Sequence, residues 1–247
     1  MKKVFALAIL VVVVTSVGAS AQIIEHFDGY SAPGANGSVM FRQPSFSGST
    51  ADGLEATPNV SQVVNTVSAS GPNSLFVSWQ WKTTGTWLRL TTYNTPNRPN
   101  PAIDYSLVLQ FKVLYTSGDD LGICIGSRDN GTAAPIGGDG GASGEIEWIG
   151  ATGSGPAATR TLSAAPGWQT FAFNIPSESI AGFTGNGVLD NARGTLEHIA
   201  FVKTGSAGPY ELYLDDFEMV PVPEPSSLLA LGTGLMGIVG LLRRRRI

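Results

Sequence analysis

The chain has 247 residues, of which 43% are hydrophobic and only 14% are charged, and its formal net charge is −4. This combination of high apolar content and low net charge argues against an intrinsically disordered chain. Six of the fifteen basic residues lie at the two ends of the chain. The part between the two ends, the body of the protein, therefore contains nine basic and nineteen acidic residues. A body without a basic stripe excludes nucleic-acid binding as its function, because phosphate must be neutralised.

The first predicted element is a secretory signal peptide at residues 1–21. Two lysines precede an unbroken apolar run, Val4–Val14, and small residues follow up to Ala21. This charged, apolar and small-residue order is typical of a signal peptide, with cleavage expected after Ala21. The alternative, an N-terminal membrane anchor, is disfavoured because the apolar run is too short to span a bilayer. The sequence therefore predicts an exported protein.

Residues 22–220 are predicted to form a single all-β domain, and their number is sufficient for one hydrophobic core. Apolar and polar residues alternate along Tyr105–Tyr115 and along Ser74–Trp81, and a period of two is the signature of a half-buried strand. We expect two antiparallel sheets packed as a jelly-roll-like sandwich. The predicted strands are Ile23–Phe27, Ser61–Val67, Ser74–Trp81, Thr86–Thr91, Tyr105–Tyr115, Leu121–Gly126, Glu145–Ile149, Trp168–Ile175, Leu196–Lys203 and Tyr210–Met219.

Four short segments spread along this domain point to a known type of β-sandwich. They are Ile24–Gly29, Gly71–Val77, Gly167–Phe171 and Tyr213–Phe217. Together they resemble segments of jelly-roll carbohydrate-binding modules and of their galactose-binding-like relatives. The resemblance implies a non-catalytic domain that associates with polysaccharide, although this fold hosts many functions.

The last predicted strand contains a change of parity. Leu212 and Leu214 share one face, whereas Phe217 and Met219 fall on the opposite one. If all four side chains are buried, a β-bulge must lie near Asp215–Asp216. A bulge redirects side chains and frees carbonyl oxygens, and carboxylate and carbonyl oxygens are the ligands that Ca²⁺ takes.

This bulge is therefore a candidate calcium site. In the resembled modules a structural Ca²⁺ joins the first and last strands, which implies that Asp28 or Glu25 lies beside Asp215 or Asp216. The alternative is that Asp215 and Asp216 are solvated residues of an edge strand, with no metal bound.

Exposed aromatic rings are the remaining candidates for ligand binding. Trp87 and Arg89 share the face opposite to the neighbouring leucines, so Trp87 is predicted to be a platform for a sugar ring. Trp148 is a further candidate if its ring is exposed. Trp79 and Trp81 follow the parity of core residues and are predicted to be buried.

Two acidic residues raise the alternative of an enzyme. Glu145 and Glu147 alternate on one predicted strand, as the first two carboxylates do in laminarinase-type glycoside hydrolases, which they resemble. The third position of that motif falls near Gly150, which has no carboxylate to serve as acid and base. The sequence therefore predicts a non-enzyme. A degenerate glycoside hydrolase or lyase, or a purely structural matrix component, is the alternative.

Cys124 is the only cysteine, so the chain forms no intramolecular disulfide bond. Isoleucines flank it on both sides, which predicts a buried strand residue. The sequence leaves a nucleophilic pair of Cys124 and His198 open, although nothing around either residue favours it.

Residues 221–247 form a separate C-terminal segment. Pro223, Glu224 and Pro225 precede the apolar stretch 228–242 and four arginines at 243–246. A helix of fifteen residues is about 23 Å long, short of the roughly 30 Å hydrocarbon core of a bilayer. The arginines favour the cytoplasmic side, which places the body of the protein outside. The residues alone thus predict a marginal tail anchor.

The order of a Pro-Glu-Pro triplet, a short apolar helix and an arginine cluster resembles the PEP-CTERM sorting signal. The resemblance implies that the apolar helix holds an exported precursor in the inner membrane. An exosortase, a membrane-embedded cysteine transpeptidase, then recognises Pro223, Glu224 and Pro225 and processes the chain there. The expected product is a protein of the cell surface or the extracellular matrix. An unprocessed tail anchor is the alternative.

Overall fold

The computed structural model describes residues 21–93, 100–129, 145–153 and 156–223. Within these ranges the chain forms fifteen strands, a single-turn helix α1 (Gly48–Ala51) and two 3-10 helices (Pro44–Phe46 and Ile175–Ser177). The strands are β1 (Gln22–Glu25), β2 (Leu54–Val64), β3 (Ser74–Trp81), β4 (Trp87–Thr91), β5 (Ala102–Asp104), β6 (Val108–Leu114), β7 (Leu121–Arg128), β8 (Ile146–Ile149), β9 (Ala151–Thr152), β10 (Ala157–Ala158), β11 (Arg160–Leu162), β12 (Gln169–Asn174), β13 (Ile180–Gly182), β14 (Arg193–Lys203) and β15 (Tyr210–Val220).

Two antiparallel sheets pack face to face. The first sheet has the strand order β12-β6-β15-β3-β2, and β1 also pairs with β15. The second sheet has the order β13-β8-β7-β14-β4, with β11 paired to β7 and β5 paired to β14. Strands β9 and β10 form a separate two-stranded ribbon. The structure thus confirms the prediction of an all-β, two-sheet antiparallel sandwich.

The core between the sheets is rich in aromatic rings. Phe217 of β15 stacks on Phe111 of β6, with 4.8 Å between the ring centroids. Trp79 of β3 stacks on Phe201 of β14 at 5.3 Å, so this contact joins the first sheet to the second. Trp79 and Trp81 are fully buried, as their parity predicted.

The predicted bulge near the end of the chain is present. The register between β15 and β6 shifts between Asp215 and Glu218, and Asp216 has a φ of 48°. Asp is among the residue types that tolerate this left-handed backbone conformation. Because of the bulge, Leu214 and Phe217 both reach the core although they differ in parity.

The predicted strand boundaries agree with the observed ones only where the alternation of apolar and polar residues is clear. The predicted strand Ser74–Trp81 agrees with β3 at both ends. Strand β2 begins seven residues earlier than predicted, at Leu54, because its first half is mostly exposed and has no apolar period. The missed strands β5, β9, β10, β11 and β13 have only two or three residues each, too few to show a period.

The two ends of the described chain lie together. Gln22 of β1 pairs with Met219 of β15, and Gln22 also lines a cleft with Asp104 and Arg193 at the start of β14. Trp87 pairs with Val202 near the other end of β14. Since an eleven-residue strand is roughly 35 Å long, Trp87 lies at the end of the sandwich opposite to residues 22 and 220.

The predicted signal peptide, apart from its last residue Ala21, lies outside the described residues. The C-terminal apolar stretch 228–242 and the four arginines that follow it also lie outside them. Among the described residues no helix is both long enough and apolar enough to cross a membrane.

The packing around Phe217 predicts the cost of truncating it. Phe217 is fully buried against Phe111, Phe27 and Phe41. We expect Phe217→Ala to lower the free energy of unfolding by about 3–5 kcal/mol, because it leaves a cavity in a packed core. Chemical denaturation of the purified protein measures the change. The matched control is Val188→Ala, at a side chain that is 54% exposed, which should stay within about 0.5 kcal/mol of the wild type. Equal losses in the two variants would contradict the core assignment.

Candidate functional site

A second hydrophobic cluster lies on the outer face of the second sheet, separate from the core between the sheets. The strand alternation creates it: in β4 Leu88 and Leu90 enter the core, so the intervening side chains point outward. Neighbouring strands add outward side chains, and the residue after β13 adds one more. We call this surface the aromatic face; its members are Trp87, Arg89, Trp148, Phe183 and His198.

Trp148 is at the centre of the aromatic face. Its ring centroid lies 5.7 Å from that of Trp87, 5.2 Å from that of Phe183 and 4.6 Å from that of His198. The rings of Trp87 and Phe183 stand 6.0 Å apart at an interplanar angle of 83°. Edge-to-face contacts of this kind are favourable, so the rings hold one another in place.

The exposure of these rings differs. Trp87, Arg89 and Phe183 are partly exposed, whereas Trp148 and His198 are fully buried. The structure therefore brings the three predicted ligand-binding residues Trp87, Arg89 and Trp148 onto one face. It does not give Trp148 the exposed ring on which a stacking role depended, because that ring is fully buried, in contact with Trp87, Phe183 and His198.

Sequence reasoning missed two members of the aromatic face, Phe183 and His198. Phe183 follows the three-residue strand β13, and its amide donates to the carbonyl oxygen of Ile146 in β8. His198 follows a register shift in β14 that also moves Ile199 into the core. The parity change between Leu196 and Ile199 was the signal for that bulge.

His198 fits into the sheet because its neighbour is a glycine. Gly126 of β7 pairs with His198, and a Cβ atom at Gly126 would lie 2.0 Å from Nε2 of the imidazole. Any larger residue at this position would displace the ring. Within the described part of the chain, neither ring nitrogen of His198 has a hydrogen-bond partner.

Charged groups surround the imidazole. Arg128 of β7 is buried and forms an ion pair with Glu197, with 3.0 Å between Nη2 and Oε1. Asn100 donates to the other carboxylate oxygen of Glu197 at 2.6 Å. Burial lowers the pKa of Arg89, while Glu197 raises it and Arg128 lowers it. The guanidinium of Arg89 lies 5.2 Å from the ring centroid of Phe183.

A polar cleft adjoins the aromatic face at Trp87. It has a volume of about 230 Å³, and Ser49, Thr50, Asp52 and Thr84 contribute to its lining together with Trp87. The hydroxyl of Thr50 accepts a hydrogen bond from the amide of Arg89, which fixes helix α1 against β4. The partly exposed indole is thus placed between apolar rings and hydroxyl groups.

The predicted calcium residues make other contacts. Asp215 accepts hydrogen bonds from the amides of Ala69 and Asp216, both at 2.8 Å, and burial raises the pKa of its carboxyl group. Asp28 accepts from the amide of Asn73 at 3.2 Å.

Asp216 has an imidazole as its neighbour: Nδ1 of His26 lies 3.0 Å from Oδ1. Glu25, the other acidic residue considered, accepts from the amide of Phe27 and the hydroxyl of Tyr30. The described residues contain no group of three or more His, Cys, Asp or Glu that could hold a metal ion. Carboxylate oxygens are among the ligands that Ca²⁺ takes, so calcium binding at this bulge stays a prediction.

Glu147, one of the two carboxylates of the hydrolase alternative, holds a loop. It is fully buried, and its carboxylate accepts from the amides of Asn186 and Gly187 at 2.7 and 2.9 Å. Burial raises its pKa. Glu145 is exposed and precedes β8. Glu147 therefore fixes the loop that carries Phe183 and does not present a carboxylate to solvent.

Cys124 belongs to the second hydrophobic cluster, on the outer face of the second sheet. Burial raises the pKa of its thiol to about 12, so the sulfur is protonated at neutral pH. Among the described residues, neither ring nitrogen of His198 makes a hydrogen bond to the Cys124 thiol, so the two residues do not form a nucleophilic pair in this structure.

The C-terminal segment matches a known sorting signal. The PEP-CTERM protein-sorting motif matches residues 221–246, beginning directly after β15 ends at Val220. This chain carries a PEP-CTERM sorting motif. The motif marks an exported surface protein that an exosortase processes. Of the three predicted recognition residues, Pro223 is the last described residue, and Glu224 and Pro225 lie outside the described ranges.

Comparisons of the whole chain give structural neighbours only. No curated protein matches the sequence. A family 11 carbohydrate-binding module from Clostridium thermocellum, solved with a β-1,3-1,4-mixed-linked tetrasaccharide, is 15% identical; the match covers 85% of this chain and 100% of that one, with a TM-score of 0.47.

Two further solved structures are similar to this chain at a comparable level. A family 30 carbohydrate-binding module of a Clostridium thermocellum cellulosomal cellulase is 15% identical, covering 76% of this chain and 94% of that one, with a TM-score of 0.42. A xylan-binding domain from Paenibacillus barcinonensis is 11% identical, covering 83% of this chain and 98% of that one, with a TM-score of 0.37. Sequence identities and TM-scores this low do not indicate what this chain binds.

The buried imidazole predicts that the fold is sensitive to acid. Burial, followed by the charges of Arg89 and Arg128, holds the pKa of His198 well below its ordinary value of 6.5. Below that ordinary value the unfolded chain binds a proton that the folded protein does not. The free energy of unfolding therefore falls as pH decreases, by up to about 1.4 kcal/mol per pH unit. Denaturant titrations from neutral to mildly acidic pH measure this slope.

Two variants isolate the contribution of His198. The wild type should lose more stability on acidification than His198→Gln, because that variant lacks the titrating group. The matched control Val188→Ala, at an exposed side chain, removes no titrating group and should keep the slope of the wild type. If His198→Gln and the wild type show the same slope, His198 is protonated in the folded state and its environment is wrongly described.

Proposed function

We propose that this protein is an exosortase-sorted surface protein whose β-sandwich associates non-catalytically with extracellular polysaccharide through the aromatic face. Two independent observations support the proposal. The sorting motif at residues 221–246 supports export, a membrane-held precursor and processing by an exosortase. The aromatic face supports the ligand class.

The single observation that supports polysaccharide as the ligand is a pair of aromatic rings at the surface. Trp87 and Phe183 are partly exposed, stand nearly perpendicular, and rest on the buried ring of Trp148. Sugar rings have apolar faces and polar edges, so they pack on aromatic rings and bind surrounding polar groups. The hydroxyls of Ser49, Thr50 and Thr84 lie beside Trp87 in the adjoining cleft, which supplies the polar groups.

The place of this surface in the fold suits a sorted protein. The sorting motif begins at residue 221, directly after β15, at the end of the sandwich that also holds Gln22. Trp87 lies at the opposite end. The exposed rings therefore point away from the segment through which the chain is held and processed.

The described acidic and nucleophilic residues favour binding over catalysis. The carboxylate of Glu147 is occupied by two loop amides, and the thiol of Cys124 is protonated and buried. Retaining or inverting hydrolysis needs two carboxyl groups on either side of a sugar bond. Glu145 and Glu147 differ too much in exposure to serve as such a pair.

Trp87→Ala tests the proposal. We expect the wild type to be retained on at least one insoluble or gel-embedded plant or bacterial polysaccharide, and Trp87→Ala to bind it about tenfold or more weakly, because the stacking ring is lost. Affinity electrophoresis in gels with and without polysaccharide measures the retention.

The matched control lies on the outer face of the first sheet. Phe76 is partly exposed there, with its ring centroid 5.1 Å from that of Tyr213, so Phe76→Ala removes a comparable paired ring. It should bind as the wild type does. Retention that survives Trp87→Ala but is lost in Phe76→Ala would move the site to the other sheet. Release of reducing ends from any polysaccharide would favour the hydrolase alternative, and no retention at all would favour a purely structural matrix component.

A further inference from the structure

Arg89 is a cation with no ion-pair partner in the described residues. It projects from the outer side of β4, half-buried, with its guanidinium over the ring of Phe183. The ion pairs of the described residues involve His26, Lys112, Arg128 and Arg160, and Arg89 is absent from them. Its Nε atom is buried and has no hydrogen-bond partner. Removing a charged donor from water without a partner costs free energy, so this arrangement favours an added acceptor.

The other unpaired polar atoms of the aromatic face also favour an acceptor. Nε1 of Trp148 is buried and has no hydrogen-bond partner among the residues that the structure describes, and an indole nitrogen can only donate. His198 is neutral because burial lowers its pKa, so its two unpartnered nitrogens supply one donor and one acceptor. Across Arg89, Trp148 and His198, donors outnumber acceptors.

The local charges point in the same direction. Among the described residues, the charges of Arg89 and Arg128 act on the imidazole, and the carboxylate of Glu197 acts on Arg89. Glu197 is already held by Arg128 at 3.0 Å and by Asn100 at 2.6 Å. Positive charge at Arg89 is therefore not balanced within the described residues, although the body of the protein is acidic as a whole.

From this geometry we infer that the polysaccharide bound by the aromatic face is anionic, and that Arg89 binds its carboxylate or sulfate group. Trp87 and Phe183 then pack on the sugar ring that carries the group. A guanidinium offers paired N–H donors that match a carboxylate or sulfate, and such charge-assisted hydrogen bonds are stronger than those to neutral hydroxyls. The inference rests on the proposed function and adds the chemical class of the ligand.

A pair of glycans with one backbone separates charge from shape. Polygalacturonate carries a carboxylate on every sugar, and its fully methyl-esterified form carries none. We expect the purified protein to bind polygalacturonate about tenfold or more tightly than the ester, and we expect this binding to weaken as salt is added, because the contact is ionic and partly exposed. Chondroitin with and without sulfate esters provides the second arm, which shows whether the preferred anion is carboxylate or sulfate.

Three variants assign the preference to Arg89. Arg89→Gln should abolish the difference between the acidic and the neutral glycan, whereas Arg89→Lys should keep part of it because it keeps the charge. The matched control is Arg42→Gln, which removes a guanidinium stacked 4.3 Å from the ring of Phe46 and 3.9 Å from that of Tyr93, outside the aromatic face. It should bind as the wild type does. Thermal unfolding of each variant shows whether the fold is intact.

The outcomes separate this inference from the proposed function. Equal binding of acidic and neutral glycans, with Arg89→Gln indistinguishable from the wild type, overturns the inference and leaves polysaccharide binding standing. Absence of binding to every glycan overturns both. Acidic preference that persists in Arg89→Gln but disappears in Arg42→Gln assigns the anion to a different surface and also overturns the inference.

Discussion

The register of β14 is the constraint on which both faces of the second sheet depend. This strand pairs with β7, β4 and β5, and a shift between Leu196 and His198 changes which side chains point inward. Leu196 and Phe201 enter the core, whereas His198 contributes to the aromatic face. A slip of one residue would exchange the two faces. Gly126 opposes such a slip because it leaves room for the imidazole, whereas its neighbours Ile125 and Ser127 carry side chains.

Both sheets contain a long central strand with a β-bulge. The bulge lies at Asp215 in β15 and at His198 in β14. In the first sheet the bulge residues are satisfied by amides and by His26. In both sheets, buried polar atoms without a hydrogen-bond partner among the described residues lie beside partly exposed rings: His198 and Trp148 in the second sheet, and the hydroxyl of Ser78 near Phe76 and Tyr213 in the first. The second sheet adds a half-buried guanidinium, that of Arg89, over the ring of Phe183, and this contact marks its outer face as the candidate binding surface.

Period-two alternation was sufficient to predict the fold class, the long strands and the bulge of β15, because each leaves a pattern within one segment. It also placed Trp87 and Arg89 on one outward face. Alternation could not place Phe183, which depends on contacts of its loop with Ile146 and Glu147, far away in sequence. Nor could it show that Trp148 is covered, since outward residues of a central strand are exposed only if nothing packs over them. Long-range contacts thus decide the details of the site.

The most direct test of the central claim is an NMR titration that follows the indole N–H resonances of the tryptophans with an acidic oligosaccharide. If the aromatic face binds it, the resonances of Trp87 and Trp148 shift with ligand concentration. Those of Trp79 and Trp81, which lie in the core between the sheets, stay in place. Unchanged indole resonances of Trp87 and Trp148, together with shifts of the backbone amide resonances of Phe76 and Tyr213 in the same spectra, would contradict the account.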